Sequence, residues 1–119
     1  MNQFSISFVS PMFNEVENIG NTIARASKLA RELTNDYEIV VVDDASTDKS
    51  VETVKAIAEK DSHIKIICLK ANTMIGGAIK EGFKNASKDV IIYIDSDFPA
   101  REDDIKKAFI AMTACFNGK

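Results

Sequence analysis

Four short apolar segments, separated by longer stretches with helical periodicity, constrain the fold of this 119-residue chain more than any other feature. Each segment is nearly continuous in apolar character, as strands are when helices cover both faces of their sheet. Successive segments begin about 30 residues apart, which is the length of a βαβ unit. The predicted strands are Phe4–Ser10, Tyr37–Asp43, His63–Leu69 and Val90–Asp95.

The intervening stretches repeat apolar residues at steps of three and four, which predicts amphipathic helices. These helices are Glu15–Leu33, Thr47–Lys60, Met74–Ala86 and Glu102–Phe116, with Asn117 and Gly118 as a helix stop. Because βαβ crossovers are right-handed, the pattern predicts an α/β fold with a doubly wound, mostly parallel sheet. We expect the strand order 3-2-1-4, helices on both faces, and a single domain over residues 1–119.

Composition excludes several function classes. A formal net charge of −3 argues against nucleic-acid binding, which usually needs a basic patch. One histidine, His63, cannot build a zinc site, and two cysteines do not make a disulfide framework. Cys68 is expected to be a small buried hydrophobe. With no signal peptide and no run of roughly 18 apolar residues, we expect a cytoplasmic protein, peripheral to the membrane in a full-length context.

Ligands of doubly wound sheets bind at the carboxyl ends of the strands, so the residues there are the candidates for function. The first strand is followed by Pro11 to Glu15, and no glycine occurs before Gly20, which excludes a dinucleotide-binding glycine motif. Pro11 fixes a turn, and Phe13 offers a ring face to a base. The alternative is a plain strand-to-helix turn in which Asn14 caps the helix.

Two adjacent carboxylates, Asp43 and Asp44, follow the second strand. Neighbouring residues in a strand point to opposite sides, so one can face the crevice while backbone amides hold the other. A carboxylate in the crevice can accept hydrogen bonds from a ribose hydroxyl or a base N–H. Capping of the next helix explains Ser46, Thr47 and Asp48, but not the adjacent pair.

Paired glycines, Gly76 and Gly77, lie near the start of the helix that follows the third strand. Without a Cβ they let a ligand approach the backbone, and helix-start amides favour a phosphate. Close packing of the helix on the sheet explains them equally well.

Asp95, Ser96 and Asp97 follow the fourth strand. Residues two apart in extended chain face the same side, so both carboxylates point into one space and repel each other unless a cation joins them. Hard oxygen ligands of this kind suit Mg²⁺ or Mn²⁺ bound to a diphosphate. Such a cation would offset charge on a departing nucleoside diphosphate.

In order and spacing, these four motifs resemble those of family-2 glycosyltransferases of the GT-A fold. The resemblance covers about residues 4 to 110 and implies that the chain is the Rossmann-like, nucleotide-sugar-binding half of such an enzyme. Pro11 and Phe13 would lie against the base of a UDP- or GDP-linked sugar, Asp44 would bind the base, and Asp43 would support that loop. The implied nucleotide-sugar residues are Pro11, Phe13, Glu15, Asp43, Asp44, Lys70, Gly76, Gly77, Asp95 and Ser96.

The resemblance also implies that Asp95 reaches the ribose or sugar and that Asp97, with Asp95, holds the metal. Where the family often has an arginine for the diphosphate, this chain offers Lys70, a point charge rather than a bidentate fork. The segments Phe13–Ile19 and Asp95–Pro99 most resemble the branch that charges polyprenyl phosphates, such as dolichol-phosphate mannose synthase. The implied acceptor is a polyprenyl phosphate or a glycan.

No catalytic base is nominated, because the resemblance places it in a second half beyond these 119 residues. Glu102, Asp103 and Asp104 are expected to begin a helix instead. We therefore expect that the chain alone does not transfer sugar. A non-catalytic nucleotide-binding fragment remains an alternative. A phospho-receiver domain is a second alternative, although a receiver carries its acidic pair after the first strand.

Self-association is a further expectation. In the order 3-2-1-4, the fourth strand is an apolar edge without proline or lysine, which invites pairing with a second chain. The last helix would also leave Phe109, Met112 or Phe116 partly bare.

Overall fold

The computed structural model describes residues 4–98 and 101–118, and for residues 116–118 the backbone alone. Four parallel strands form one sheet in the order β3-β2-β1-β4, which confirms the predicted fold class and strand order. In chain order the elements are β1 Ile6–Met12, α1 Ile19–Leu33, β2 Tyr37–Asp43, α2 Ser50–Lys60, β3 Ile64–Cys68, α3 Gly76–Asn85, β4 Val90–Tyr93 and α4 Glu102–Gly118.

Burial on both sides of β1 and β2 explains why their sequences are almost continuously apolar. One face carries Phe8, Ile39 and Val41 into the main core, together with apolar residues of α1, α2 and α4. The opposite face carries Val9, Val40 and Val42 into a smaller core under α3. Every residue of both strands is buried, as the pattern of a sheet with helices on both faces requires.

A close approach of backbone to sheet seats α3. A Cβ built on Gly82 would lie 2.4 Å from Cγ1 of Val9, so any larger residue would push α3 away from β1. Gly82, further along α3, is therefore the glycine that allows the close helix–sheet packing that the sequence suggested for Gly76 and Gly77.

One carboxylate, that of Glu38, is buried in the sheet at the end opposite the candidate site. It accepts hydrogen bonds from the Ser7 hydroxyl at 2.6 Å and from the Ser87 amide at 2.8 Å, and it pairs with Lys65. Burial alone would raise the pKa of Glu38, but the hydrogen bonds from Lys65, Ser7 and Ser87 outweigh it and lower the pKa to about 2. The ionised side chain thus joins β1, β2, β3 and the turn before β4.

The predicted helix starts were early by two to four residues for the first three helices. α1 begins at Ile19 rather than Glu15. Pro11 lies in β1, and its ring nitrogen faces toward β4 at a point past the last residue of β4 that pairs with β1. The N-cap of α1 is Asn18, so Asn14 does not cap this helix. Only the start of α4, at Glu102, is where the sequence placed it, and that helix runs to Gly118.

The outer side of β4 is open. Ile91 and Tyr93 are 43% and 39% exposed, and a groove of about 350 Å³ separates β4 from α4. Of the residues expected to be partly bare, Phe109 is 3% exposed and therefore buried, whereas Met112 is only partly buried. Ile110, which was not named, is 56% exposed. The Phe116 side chain lies outside the described residues. Within the described ranges, no helix is long and apolar enough to span a membrane.

Candidate functional site

A crevice of about 270 Å³ lies at the carboxyl ends of β1 and β4, beside the start of α3. Five of the predicted site residues meet there, because parallel strands end at the same edge of a sheet. Ile75 and Tyr93 complete the lining and were not singled out from the sequence. The lining residues are Pro11, Glu15, Ile75, Tyr93, Asp95, Ser96 and Asp97.

The acidic side of the crevice contains three carboxylates. Asp95 accepts a hydrogen bond from the Tyr93 hydroxyl at 2.6 Å, and the Glu15 carboxylate accepts one from the side-chain amide of Asn18 at 2.9 Å. Burial and the hydrogen bond to Asp95, with the charges of Asp95 and Asp97, raise the pKa of Tyr93 to about 12. Asp97 is exposed and accepts no hydrogen bond from the described part of the chain. Tyr93 therefore stays protonated and orients Asp95, while the oxygens of Asp97 are open to a ligand.

Asp44 is fully buried and does not line the crevice. Its carboxylate accepts hydrogen bonds from the Thr73 hydroxyl at 2.7 Å, the Thr73 amide at 3.0 Å and the Ile75 amide at 2.7 Å. Burial by itself would raise the pKa of Asp44, but these hydrogen bonds lower it. Asp44 is thus the carboxylate that backbone amides hold, and its implied contact with a base stays a prediction.

Asp43 is 3% exposed and accepts one backbone hydrogen bond, from the Ser46 amide at 3.1 Å. The implied support of its own loop by Asp43 corresponds to this contact. Neither aspartate lies in the acidic crevice, so the strand-end pair and the Asp95–Asp97 segment form separate parts of the candidate site.

The β3–α3 loop brings the helix start toward the crevice. A Cβ on Gly76 would meet no atom within 4 Å, whereas one on Gly77 would collide with the Thr73 side chain at 2.7 Å. Gly76 is therefore the glycine that leaves open space for a ligand, and Gly77 accommodates Thr73. Lys70 is exposed and makes no ion pair with any residue in the ranges 4–98 and 101–118.

The β1–α1 and β2–α2 loops are joined through Asn14. Its side-chain oxygen accepts hydrogen bonds from the amides of Thr47 at 2.8 Å and Asp48 at 3.3 Å. The backbone amide of Asn14 donates to the Ser46 hydroxyl at 2.9 Å. The Asp48 carboxylate accepts a hydrogen bond from the Ser50 amide at the start of α2. The N-cap position of α2 is Lys49, which makes no side-chain cap bond, so neither Ser46 nor Thr47 caps this helix.

Phe13 stands beside this junction with 37% of its surface exposed. It does not line the crevice, so its implied stacking on a base stays a prediction.

Strained backbone is concentrated in the four loops that follow the strands. Non-glycine residues with positive φ occur after each strand, and Ile75 is the most unusual because its side chain is β-branched. Such residues cost about 1–3 kcal/mol each and persist where the surrounding contacts fix them. They are Asn14, Ala45, Met74, Ile75 and Phe98.

No group of three His, Cys, Asp or Glu side chains within residues 4–98 and 101–118 is arranged to hold a metal ion by itself. The crevice carboxylates nevertheless fit a hard cation that shares its coordination with a ligand, because Mg²⁺ is often held by one or two carboxylates plus substrate phosphates.

Comparison with known proteins identifies the family. The model of "Glycosyl transferase family 2" matches residues 7–114. The chain belongs to this family. The match spans all four strand-end motifs, and it excludes the receiver-domain alternative.

The family-2 domain is 39% identical over 103 residues to an undecaprenyl-phosphate 4-deoxy-4-formamido-L-arabinose transferase of Yersinia enterocolitica. The alignment covers 86% of this chain and 32% of the relative, so the chain spans about a third of the length of that protein. By its name, this relative acts on undecaprenyl phosphate, which is a polyprenyl phosphate.

Solved structures share the fold. The mannosyltransferase PcManGT from Pyrobaculum calidifontis, in complex with GDP-Man and Mn²⁺, superposes with a TM-score of 0.73 at 22% identity, over 86% of this chain and 30% of that one. S. aureus TarS 1–349, in complex with UDP, superposes with a TM-score of 0.67 at 24% identity, over 78% and 27%. The parallel sheet is therefore the Rossmann-like half of a GT-A fold.

Proposed function

We propose that this domain binds a UDP- or GDP-linked sugar in and beside the acidic crevice, as part of an enzyme that transfers the sugar to a polyprenyl phosphate. The observation that carries the proposal is the meeting of Asp95, Asp97 and Glu15 at the strand ends of a family-2 domain. The relative that acts on undecaprenyl phosphate supports the lipid acceptor, and a glycan acceptor is the second candidate. The neighbours with GDP-Man and UDP support the donor.

On the base side, we assign Pro11 and Phe13 to contacts with the ring and Asp43 and Asp44 to the loop that recognises it. Phe13 presents an exposed face, which suits stacking. Asp44 fixes the β3–α3 loop through Thr73 and Ile75, so it shapes the donor site even where it does not touch the nucleotide.

On the diphosphate side, we assign Asp97 and Asp95 to a Mg²⁺ or Mn²⁺ ion, a DxD-type arrangement. Asp97 has both oxygens available, and Asp95 retains one beside the Tyr93 hydroxyl. When bound, the cation supplies Lewis acidity that offsets the negative charge growing on the leaving nucleoside diphosphate. Gly76 and the helix-start amides of α3 favour the same negative charge. We assign Lys70, which follows β3, as the cation that meets the diphosphate.

The base that activates the acceptor is not assigned to any residue of this chain. Glu102, Asp103 and Asp104 form the first turn of α4, where the helix dipole accounts for their charge. Transfer by the 119 residues alone is accordingly expected to stay at background. We also propose that the enzyme works on the cytoplasmic side of the membrane that holds its lipid acceptor.

We further propose that the chain pairs with a second copy along β4. The backbone groups of Val90 and Ile94 bond to β1, so those of Ile91 and Tyr93, which alternate with them, face outward. A two-fold axis beside this edge would let each copy supply the partners that the other lacks.

Titration calorimetry with UDP and with GDP, each with and without Mn²⁺, tests the donor site. We expect weak binding without metal and at least tenfold tighter binding with it. Asp97→Asn should abolish the gain from metal, whereas the control Asp103→Asn, on the exposed first turn of α4, should retain it. Equal gains in the wild type and in Asp97→Asn would refute the metal assignment.

A further inference from the structure

The loop that carries Asp95 and Asp97 alternates between inward and outward residues. Ser96 and Phe98 are 8% and 2% exposed, and the Phe98 ring belongs to the main core. Asp95 and Asp97 are exposed between them. The direction of both carboxylates therefore depends on how firmly Ser96 and Phe98 are held.

The loop closes on itself in a strained conformation. The amide of Phe98 donates to the carbonyl of Asp95 at 2.8 Å, and Phe98 has a φ of 46°. A phenylalanine in the left-handed region is unfavourable, so contacts from outside the loop must hold it there.

Those contacts come from α1. The hydroxyl of Thr22 donates to the carbonyl of Ser96. One helical turn later, Arg25 Nη1 donates to the carbonyl of Phe98 at 2.8 Å, and the guanidinium lies over the Phe98 ring at 4.0 Å from its centroid. Two side chains three residues apart on one helix face thus hold the two inward residues of the loop.

Arg25 is itself fixed by Glu102, the first residue of α4. Nε and Nη2 donate to the two carboxylate oxygens of Glu102 at 2.8 Å each. This bidentate pair, with the third bond to Phe98, uses three donors of one planar group, an arrangement that a lysine cannot reproduce. The hydrogen bonds from Arg25 lower the pKa of Glu102 to about 2, so the pair stays charged at neutral pH.

We propose that Arg25 is a positioning residue of the donor site: by holding the carbonyl and ring of Phe98, it sets the direction of the Asp95 and Asp97 carboxylates without touching the ligand. This inference rests on the proposed function, since the carboxylates are aimed at a metal-bound nucleoside diphosphate. Arg25 lies on the far side of the loop from the crevice, where it lines a separate, mixed-charge hollow. Its effect on binding therefore passes through the loop.

If the role of Arg25 were purely structural, it would only hold α1 against α4. A second ion pair between the same two helices provides a matched control. Lys106 of α4 pairs with Glu32 of α1 at 2.7 Å, with side-chain exposures of 35% and 41%. The Arg25–Glu102 pair joins the same two helices with exposures of 29% and 40%. Only the Arg25 pair touches the loop.

The test compares Arg25→Met with Lys106→Met, two changes that replace a long cation by an apolar side chain of similar reach. GDP and UDP affinities are measured by calorimetry with and without Mn²⁺, and unfolding is measured in urea. We expect Arg25→Met to lose at least tenfold in affinity with Mn²⁺ and less than twofold without it. Lys106→Met should change the nucleotide affinity by less than twofold, both with and without Mn²⁺. Arg25→Lys, which keeps the charge, should not restore the affinity with Mn²⁺.

Amide hydrogen exchange at Phe98 provides a readout that needs no ligand. Without Arg25 the turn bond from Phe98 to Asp95 should open more often, so the amide should exchange at least tenfold faster in Arg25→Met and at the wild-type rate in Lys106→Met. Unchanged exchange, an unchanged affinity with Mn²⁺, or equal losses with and without metal would overturn the positioning role. If the wild type binds neither nucleotide, the donor assignment fails, while the exchange rates still decide whether Arg25 holds the loop.

Discussion

At the residue scale, Asp44 combines a buried charge with control of a strained loop. Its carboxylate accepts three close hydrogen bonds from Thr73 and Ile75, and Ile75 has a φ of 75°. Because the Ile75 amide is fixed by Asp44, the position of the Ile75 side chain in the crevice wall depends on this carboxylate. A single buried acid thus links the end of β2 to the helix start that faces the proposed diphosphate.

Replacing Asp44 by asparagine tests this link. An amide cannot accept all three bonds, so we expect a loss of about 1–3 kcal/mol in the free energy of unfolding, measured in urea. Metal-free affinity for UDP or GDP should also fall, on the order of tenfold, because the loop shifts. The matched change Asp43→Asn alters a carboxylate held by one amide and should cost less stability. If the folded fraction of Asp44→Asn binds UDP or GDP as tightly as the wild type does, Asp44 only stabilises the loop and does not contribute to nucleotide binding.

The sequence could predict that Pro11, Glu15 and Asp97 meet, because the carboxyl ends of parallel strands share one edge of the sheet. It could not predict Tyr93 or Ile75, which read as ordinary apolar residues of a strand and a helix. The role of Tyr93 comes from its hydroxyl reaching Asp95 two residues on. That of Ile75 comes from a backbone conformation that a tertiary contact with Asp44 imposes.

At the element scale, the strands were easier to predict than the helix starts. The bounds of β2 follow from a run that is buried on both faces. α1, in contrast, starts at Ile19 because Asn14 bonds to Ser46 in the β2–α2 loop and Glu15 bonds to Ser50 at the start of α2, 32 and 35 residues away. Local capping patterns carry no information on such partners. Cys68 was mispredicted as buried for a related reason: it ends the edge strand β3 and is exposed.

Two glycines on different helices should respond oppositely to the same substitution. Gly82→Ala places a methyl group against Val9 and should destabilise the domain by about 1–3 kcal/mol through overpacking under α3. Gly20→Ala on α1 meets nothing within 4 Å and should stabilise it by about 0.5 kcal/mol through helix propensity. Urea unfolding of the two variants measures whether each substitution lowers or raises the free energy of unfolding. A neutral Gly82→Ala would mean that α3 can shift away from β1 without cost.

At the scale of the whole molecule, the sheet is protected unevenly. α3 covers β1 and β2 but leaves the same face of β4 open, where Ile91 and Tyr93 are exposed. The other face of β4 is covered by α4, with the apolar groove between them. β4 is therefore the least covered of the strands that lead to the candidate site. It carries Tyr93, whose hydroxyl orients Asp95 at the acidic crevice.

Pairing of two copies along β4 is tested by a charge on its outer edge. Ile91→Lys replaces an exposed apolar side chain of this edge strand with the residue type that natural proteins use to blunt strand edges. We expect the wild type at tens of micromolar to sediment at twice the monomer mass and Ile91→Lys at the monomer mass. Phe83→Lys makes a similar exchange at a 45% exposed position of α3, away from the edge, and should sediment as the wild type does. If the wild type sediments as a clean monomer, the edge does not recruit a second copy. If Phe83→Lys is also monomeric, the contact lies on the α3 side of the molecule and not along β4.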